Sequence, residues 1–392
     1  MTATATPGID TSDLDRFVGV PLAVNRLLEP VTVSDIRRWA QAMRHPNPLY
    51  YDAEWAAESR FGRILAPQSF TIVTNTGQGF RPANIGTIPQ SHQLFGGDDW
   101  WFYGPRVAPG DTMTTVQMMH GYRVTDTKFA GPTVFQRGDN HYTNQRGEPV
   151  ALQRSTSIRY MASAARDNAS LGDQGQEETD WTNEQLAGIF KEREAYVTSL
   201  RSLGHDPRSW ESVSEGDELV TKVIGPHSHV SFATEWRAYT MNLWGGPIES
   251  TPLMDMTDAG NTAEMTAFVE NVSWDPEFGD GAYFGAARGH LFDKYARWIG
   301  MPRAYGYGAT MGAWIIDFLS SWAGEWGFVA HTASQYRGPA LVGDVTYLRG
   351  SVTGKSESTT PGQGKVSIDY VMSSHRGEVM AKGSGEVLLP HE

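Results

Sequence analysis

The clearest hydrophobic pattern lies in the second half of the chain. Large apolar residues recur there at the spacing of one broad helical face, at positions Met311, Trp314, Ile315, Phe318, Leu319 and Trp322. Ala313 and Ile316 add apolar surface beside that face, which predicts a helix covered by protein on most sides. Stretches bounded by Gly and Pro follow it, such as residues 345–352, and their composition is typical of strands.

A weaker pattern of the same kind occurs in the first half. A short apolar segment begins after Pro67 and includes Phe70, Ile72 and Val73. Proline is common at the first position of a helix, so we predict a helix here that is shorter and more polar than its counterpart. Each half is therefore predicted to contain a helix followed by several strands.

Short motifs repeat between the two halves in the same order. The repeats are Gly-Asp at 110–111 and 343–344, and Arg-Gly-Glu at 146–148 and 376–378. Upstream of them, Tyr50 and His290 each stand six residues before an alanine. Three ordered matches at offsets of roughly 230 to 240 residues indicate that one fold occurs twice.

These repeats predict two domains, residues 1–166 and residues 206–392, with a linker and helix over residues 167–205. The linker is polar and acidic, and apolar spacing places its helix from about Asn183 to Leu203. Residues 236–283 are rich in Gly, Asp, Met and Pro and have no clear period. We predict an insertion there, either a lid over a binding cavity or a surface loop.

Composition narrows the class of protein. The net charge of −13 over 392 residues, without any basic run, argues against a nucleic-acid partner. With no cysteine, disulfides, thiolate catalysis and cysteine-ligated metals are excluded. The chain has no signal peptide and no apolar run long enough to cross a membrane, so we predict a cytoplasmic protein without a membrane partner.

Several segments resemble one protein family. Residues 33–40, 47–52, 66–70 and 144–148 read VSDIRRWA, NPLYYD, APQSF and NQRGE, and are similar to the N-terminal dehydratase domain of MaoC-like proteins. In the second half, residues 296–300, 307–308 and 343–344 fit the same family. The resemblance covers most of the chain apart from the linker and the insertion.

The resemblance implies an α+β double hot-dog fold, in which two long helices are each wrapped by an antiparallel sheet and the two sheets pair side by side. It also implies a hydro-lyase that adds or removes water at the α,β bond of an acyl-CoA thioester. In such families an Asp and a His five residues apart handle the water and the α-proton. We expect no cofactor and no metal.

The first half departs from that motif at both catalytic positions. His45 stands where Asp is expected and Tyr50 where His is expected, while Asn47 and Pro48 are retained. Tyrosine, with a reference pKa of about 10, is a poor base near neutral pH. We therefore predict that this half only holds substrate, through His45, Asn47 and Tyr50. The alternative is an exchanged pair, with His45 as base and Tyr50 as acid.

The second half keeps the histidine as His290, but Gly285 replaces the expected Asp. Asp293 lies one helical turn after His290, so we predict that these two are the catalytic pair. Asp275 and Asp280 are further candidates for the carboxylate. The alternative is that His290 is a surface or helix-capping residue.

The start of the predicted helix in the second half supplies the remaining parts of the site. A backbone N–H near Gly308 to Thr310 is the expected donor to the enolate oxygen. Tyr307, Gly308 and Trp314 are predicted to contact substrate. His227 and His229 lie two residues apart without a third ligand, so we predict a strand edge and not a metal site.

The leading hypothesis is a hydratase or dehydratase that acts on a bulky enoyl or β-hydroxyacyl thioester, as a homodimer or with a partner hot-dog subunit. Two alternatives stay open. One is a non-catalytic substrate-binding subunit that needs a catalytic partner, as the missing Asp suggests. The other is a lyase, cyclase or isomerase of secondary metabolism that uses the same cavity.

Overall fold

The computed structural model describes residues 8–27, 29–75, 79–168, 177–239 and 288–392. Its α-helices are α1 (Val33–Ala42), α2 (Ala53–Glu58), α3 (Ala162–Asn168), α4 (Asn183–Leu203), α5 (His229–Tyr239), α6 (Asp293–Trp298) and α7 (Gly308–Ala323). Short 3-10 helices span Asp15–Phe17, Pro48–Tyr50, Gln68–Thr74, Arg81–Ala83 and Arg288–His290.

The strands of the first half are β1 (Pro21–Arg26), β2 (Ser91–Phe102), β3 (Met113–Thr127), β4 (Gly131–Asn144) and β5 (Pro149–Met161). Those of the second half are β6 (Lys222–Ile224), β7 (Phe328–Tyr336), β8 (Thr346–Glu357), β9 (Gln363–Ser374) and β10 (Val379–Pro390). In the described part of the chain they form one ten-stranded sheet, in the order β1-β3-β4-β5-β2-β7-β10-β9-β8-β6.

The two halves meet where β2 pairs antiparallel with β7. Only three residue pairs make this junction, Asp99 with Ala333, Trp100 with Thr332 and Trp101 with His331. On one side of it lie the five strands of the first half and on the other side the five of the second. The predicted pairing of two antiparallel sheets side by side is confirmed. The exact domain boundaries stay a prediction, which this strand order supports.

Helix α7 is the centre of the second half, as the apolar spacing predicts. Nearly every one of its residues is buried, including the side chains of Trp314, Ile315 and Leu319, which have no exposed surface. The helix begins after Tyr307 and ends at Gly324, whose φ of 71° is unfavourable for residues with a side chain. Burial of an apolar helix on all sides provides the main apolar core of the protein.

The first half differs from the second in its interior. The predicted helix after Pro67 is a 3-10 helix, Gln68–Thr74, all of it buried. The strands that face it carry amides in register, with Gln117 opposite Asn140 and Asn140 opposite Gln153. Asn75 donates to Asn140 Oδ1 at 2.8 Å, and Gln117 donates to the same oxygen at 3.0 Å. In the first half, a hydrogen-bonded network of amides thus occupies the interior. In the second half, the interior around α7 is filled by apolar side chains.

The repeated motifs make equivalent contacts in the two halves, which confirms the duplication. The Gly-Asp turn accepts a backbone hydrogen bond in each half, at 2.9 Å from Val31 to Asp111 and at 2.8 Å from His227 to Asp344. The arginine of each Arg-Gly-Glu turn then approaches that aspartate. Arg146 lies 3.5 Å from Asp111, and Arg376 lies 3.8 Å from Asp344.

The connection between the halves is only partly described. Helix α4 has the predicted bounds and begins with a capping box between Thr182 and Gln185. Most of the predicted insertion, and residues 169–176 of the predicted linker, lie outside the described residues. Residues 236–239, predicted as irregular, form the last turn of α5. Among the described helices, none has the length and apolarity that crossing a lipid bilayer requires.

The two Gly-Asp turns should differ in their contribution to stability. Asp344 is buried and pairs with the buried Arg303 at 2.5 Å, whereas the partner of Asp111 is the half-exposed Arg146. Since Asp344→Asn removes the carboxylate charge that faces the buried guanidinium of Arg303, we expect it to lower the free energy of unfolding by about 3–5 kcal/mol. Asp111→Asn should cost about 1 kcal/mol or less. Urea unfolding of both variants measures this, and equal losses would contradict it.

Candidate active site

His290 ends the 3-10 helix Arg288–His290 and lies inside the protein, with only 9% of its surface exposed. Its ring contacts two tyrosines of the segment that leads into α7. The ring centroids are 4.4 Å apart for Tyr305 and 3.8 Å apart for Tyr307. The alternative of a surface histidine is therefore wrong.

One hydrogen bond fixes the protonation of this imidazole. His290 Nδ1 lies 2.7 Å from the carbonyl oxygen of Tyr305. A carbonyl oxygen only accepts, so Nδ1 carries the hydrogen and the neutral ring keeps its lone pair on Nε2. The pKa of His290 is lowered to about 4, mainly by burial; the hydrogen bond with Tyr305 opposes this, and a nearby His92, when protonated, adds to it. Near neutral pH this ring is an uncharged base.

The start of α7 lies directly beside this histidine. Tyr307, whose ring contacts His290, is the residue before the helix, and no side chain caps the helix. The N–H groups of Thr310 and Met311 donate to the Tyr307 carbonyl at 3.1 and 3.3 Å. The backbone amides of Gly308 and Ala309 therefore lie at the positive end of the helix dipole, ahead of those two bonds.

Aromatic side chains pack around the start of α7. Phe95 of β2 lies so close that a β-carbon on Gly308 would come within 2.5 Å of the Phe95 β-carbon. Its ring is 5.5 Å from that of Phe80 and 5.7 Å from that of Tyr336. Glycine at position 308 thus lets the first half pack directly against the start of α7.

Asp293 makes a different contact from the predicted one. Its Oδ1 accepts the backbone N–H of Ala304 at 2.8 Å. The Nδ1 atom of His290 is oriented by Tyr305, so the predicted orientation of the imidazole by Asp293 is wrong. Asp293 instead holds the chain just before Tyr305. The other two candidate carboxylates, Asp275 and Asp280, lie outside the described residues.

Comparisons with known proteins agree with this architecture. Residues 16–153 match a family model described as FAS1-like, dehydratase domain region. A solved MaoC-like dehydratase aligns with 97% of this chain and 100% of its own, with a TM-score of 0.60 and 17% identity. A structure named as a MaoC domain protein dehydratase, from Chloroflexus aurantiacus, covers 100% of both chains with a TM-score of 0.54 and 15% identity. No curated protein matches the chain.

These findings confirm the predicted resemblance. The chain has a double hot-dog fold like that of the solved MaoC-like dehydratases. At 15–17% identity the solved structures establish its fold, and the dehydratase-type match covers the first half, where the motif is altered.

His45, Asn47 and Tyr50 lie together in the first half of the chain. The side chain of His45 is fully buried, accepts the Asn47 backbone N–H at 3.3 Å and meets the ring of Tyr50 edge-on at 4.6 Å. Burial holds the pKa of His45 well below its usual value and raises the pKa of Tyr50 to about 12. Their substrate-binding role stays a prediction, and their packing gives them a structural one.

Asp317, which the sequence analysis missed, connects this cluster to α7. Ser69 donates to its Oδ1 at 2.6 Å, and His45 Nε2 lies 3.8 Å from the same atom. Burial raises the pKa of Asp317 to about 6 and lowers that of the nearby Lys222 to about 8. A single carboxylate within an otherwise apolar helix was the signal in the sequence. Asp317 ties the first half to the central helix of the second.

Trp314 of α7 packs against His227. Trp314 has no exposed surface, and its ring is stacked 5.4 Å from that of His227. His227 Nε2 lies 2.7 Å from Thr346 Oγ1, and burial lowers the pKa of His227 to about 3. The segment precedes α5, so the predicted strand edge is wrong. No group of three or more metal-ligand side chains occurs among the described residues.

The buried state of His227 predicts a pH-dependent stability. The ring stays neutral when folded but takes up a proton near pH 6.5 when unfolded, so its contribution is complete above pH 6.5 and is lost as pH falls towards about 3. The stability difference between the wild type and His227→Gln should shrink by about 1.4 kcal/mol per pH unit below pH 6.5. Urea unfolding between pH 7 and 4.5 tests this.

The matched control is His229→Gln, because His229 is exposed and lies only two residues away. Because its side chain is exposed, this replacement should leave stability close to that of the wild type. Parallel pH curves for the wild type and His227→Gln would show that His227 is accessible to protons in the folded protein.

Proposed function

We propose that this protein is an acyl-CoA hydratase or dehydratase in which His290 is the catalytic base. The observation that carries the proposal is the buried, neutral imidazole whose Nδ1 is held by Tyr305, beside the uncapped start of α7. A base and a set of backbone N–H groups at a helix start are the two parts that hydration of an enoyl thioester requires.

The reaction follows from these two parts. The thioester oxygen accepts hydrogen bonds from the Gly308 and Ala309 amides, which stabilise the enolate that forms. As the oxygen of water bonds to Cβ, Nε2 of His290 takes one proton from that water. The same nitrogen then delivers this proton to Cα, which restores the neutral ring and leaves water added across the double bond. Dehydration is the reverse sequence.

The acyl group is proposed to be bulky. The rings of Phe80, Phe95 and Tyr336 form a wall at the start of α7, and such a wall suits a large apolar or planar group. The acyl-CoA substrate, a homodimeric state and a cytoplasmic location are parts of the same proposal. They follow from the sequence-based expectations above.

A non-catalytic subunit is the second candidate. It is favoured by one observation, since Asp293, the nearest predicted carboxylate, binds the Ala304 backbone in place of the imidazole. Under this hypothesis the chain alone hydrates no enoyl thioester. Activity then appears only when a hot-dog subunit with an intact Asp and His pair co-purifies with it.

Replacing the base should remove the activity. We expect His290→Ala to lower kcat for hydration by about 10²–10⁴-fold, because the proton acceptor for water is lost. Hydration of crotonyl-CoA and of an aromatic or sterol-type enoyl-CoA, followed by loss of the enoyl absorbance, measures this.

His141→Ala is the control, because this histidine is exposed and lies on β4, two strands away from β2. It should retain wild-type kcat. Wild-type rates in His290→Ala would refute the role of the base. An equally deep loss in Tyr50→Phe, with His290→Ala active, would instead favour the exchanged pair of the first half.

The pH profile of kcat/KM should report the neutral state of His290. Since the pKa of its ring is about 4, the base is available throughout the neutral range. We expect kcat/KM to be flat between about pH 6 and 8 and to fall at lower pH as the ring is protonated towards pH 4. Circular dichroism at each pH separates this loss from unfolding. An acid limb near pH 6.5 would mean that the imidazole is solvated.

A further inference from the structure

A second histidine, from the first half, lies near His290. His92 is the second residue of β2, opposite Tyr160 of β5, and its ring meets that of Tyr160 edge-on at 5.7 Å. Burial lowers the pKa of His92 to about 4, and its charge acts on the pKa of His290. Two imidazoles from opposite halves, His290 buried and His92 half-buried, therefore lie near one another, and both are neutral near pH 7.

The packing of β2 brings His92 to this place. Leu94, two residues along the same strand, packs against the apolar cluster of Ala296, Ile299, Met301, Tyr305 and Leu341. Residues two apart on a strand point to the same side, so His92 faces the segment that carries Tyr305, the partner of His290. Tyr160 links the two halves at this contact, since its hydroxyl donates to the Ile299 carbonyl at 2.9 Å.

The groups around His290 leave one role open. Tyr305 binds Nδ1, Tyr307 covers a ring face, Asp293 binds the Ala304 backbone, and Arg288 lies 5.6 Å from the ring centroid of Tyr295. Gly285 stands where the family motif has its Asp. Among the described residues of the second half, none of these groups is placed to orient the attacking water.

We propose that His92, supplied by the first half, orients the attacking water for His290. The inference rests on the proposed hydration. A neutral imidazole has one acceptor nitrogen, and that nitrogen accepts a hydrogen bond from the water. The other water proton goes to Nε2 of His290, the water oxygen bonds to Cβ, and His290 returns its proton to Cα. His92 gains and loses no proton in the step.

The substitutions His92→Phe and His92→Gln separate this role from packing. Phenylalanine keeps the bulk and the edge-on contact with Tyr160 but has no acceptor, so kcat should fall about 10²-fold with KM unchanged. Glutamine keeps an acceptor oxygen and should retain most of kcat. Leu94→Ala, on the same face of the strand, is the control. This variant should be less stable, because Leu94 packs between the two halves, but it should keep the wild-type kcat.

A second measurement does not depend on activity. Histidine-labelled NMR of the full chain follows protonation of His290, assigned with His290→Gln. In His92→Phe the pKa of His290 should rise, because a neighbouring group that disfavours its charge has gone. An unchanged titration shows that the two rings do not interact and overturns the inference.

The outcomes distinguish the two proposals. If the wild type hydrates no enoyl thioester, the proposed function fails and the role of His92 with water fails with it, whatever the NMR shows. If the wild type is active and His92→Phe retains wild-type kcat, only the role of His92 is overturned. Loss of kcat in His92→Phe, partial rescue in His92→Gln and a raised His290 pKa together support it.

Discussion

The structure depends on the burial of one apolar helix, α7, from all directions. Its own half wraps it with β7 and β10, and the first half closes over it with β2 and the 3-10 helix Gln68–Thr74. Glycines at 308 and 312 permit that approach, since a β-carbon at 308 would lie 2.5 Å from the Phe95 β-carbon and one at 312 would lie 3.2 Å from the Asp98 carboxylate oxygens. The two halves therefore share one core, and neither half provides the surroundings of α7 alone.

The same burial sets the chemistry of the candidate site. Removing His290 from water disfavours its charged form, and the Tyr305 carbonyl determines which nitrogen keeps the lone pair. The helix that forms the core also presents its first amides beside this ring. A base and a hydrogen-bonding site for an anion are thus held by elements that cannot move without opening the core, which is a form of preorganisation.

Duplication left two halves with different interiors. The second half retained an apolar helix and a histidine in the motif position. The first half shares the turns of the fold, but amides fill its interior, and His45 and Tyr50 pack beside Asp317. Because buried amides must be hydrogen-bonded, the network of Asn75, Asn140 and Gln153 specifies one arrangement of this half. Its contribution to the site comes through β2 and not through the altered motif.

The sequence by itself determined the duplication, the position of α7, the bounds of α4 and the position of His290. These follow from local periodicity, capping and repeated turns, which act over a few residues. Only the tertiary structure decided the contacts of those residues, such as Tyr305 in place of Asp293 as the partner of His290, the nearness of His92, and the tie between Asp317 and His45. The physical reason is that burial and hydrogen bonding join groups far apart in sequence, and no local pattern records which distant strand will cover a given side chain.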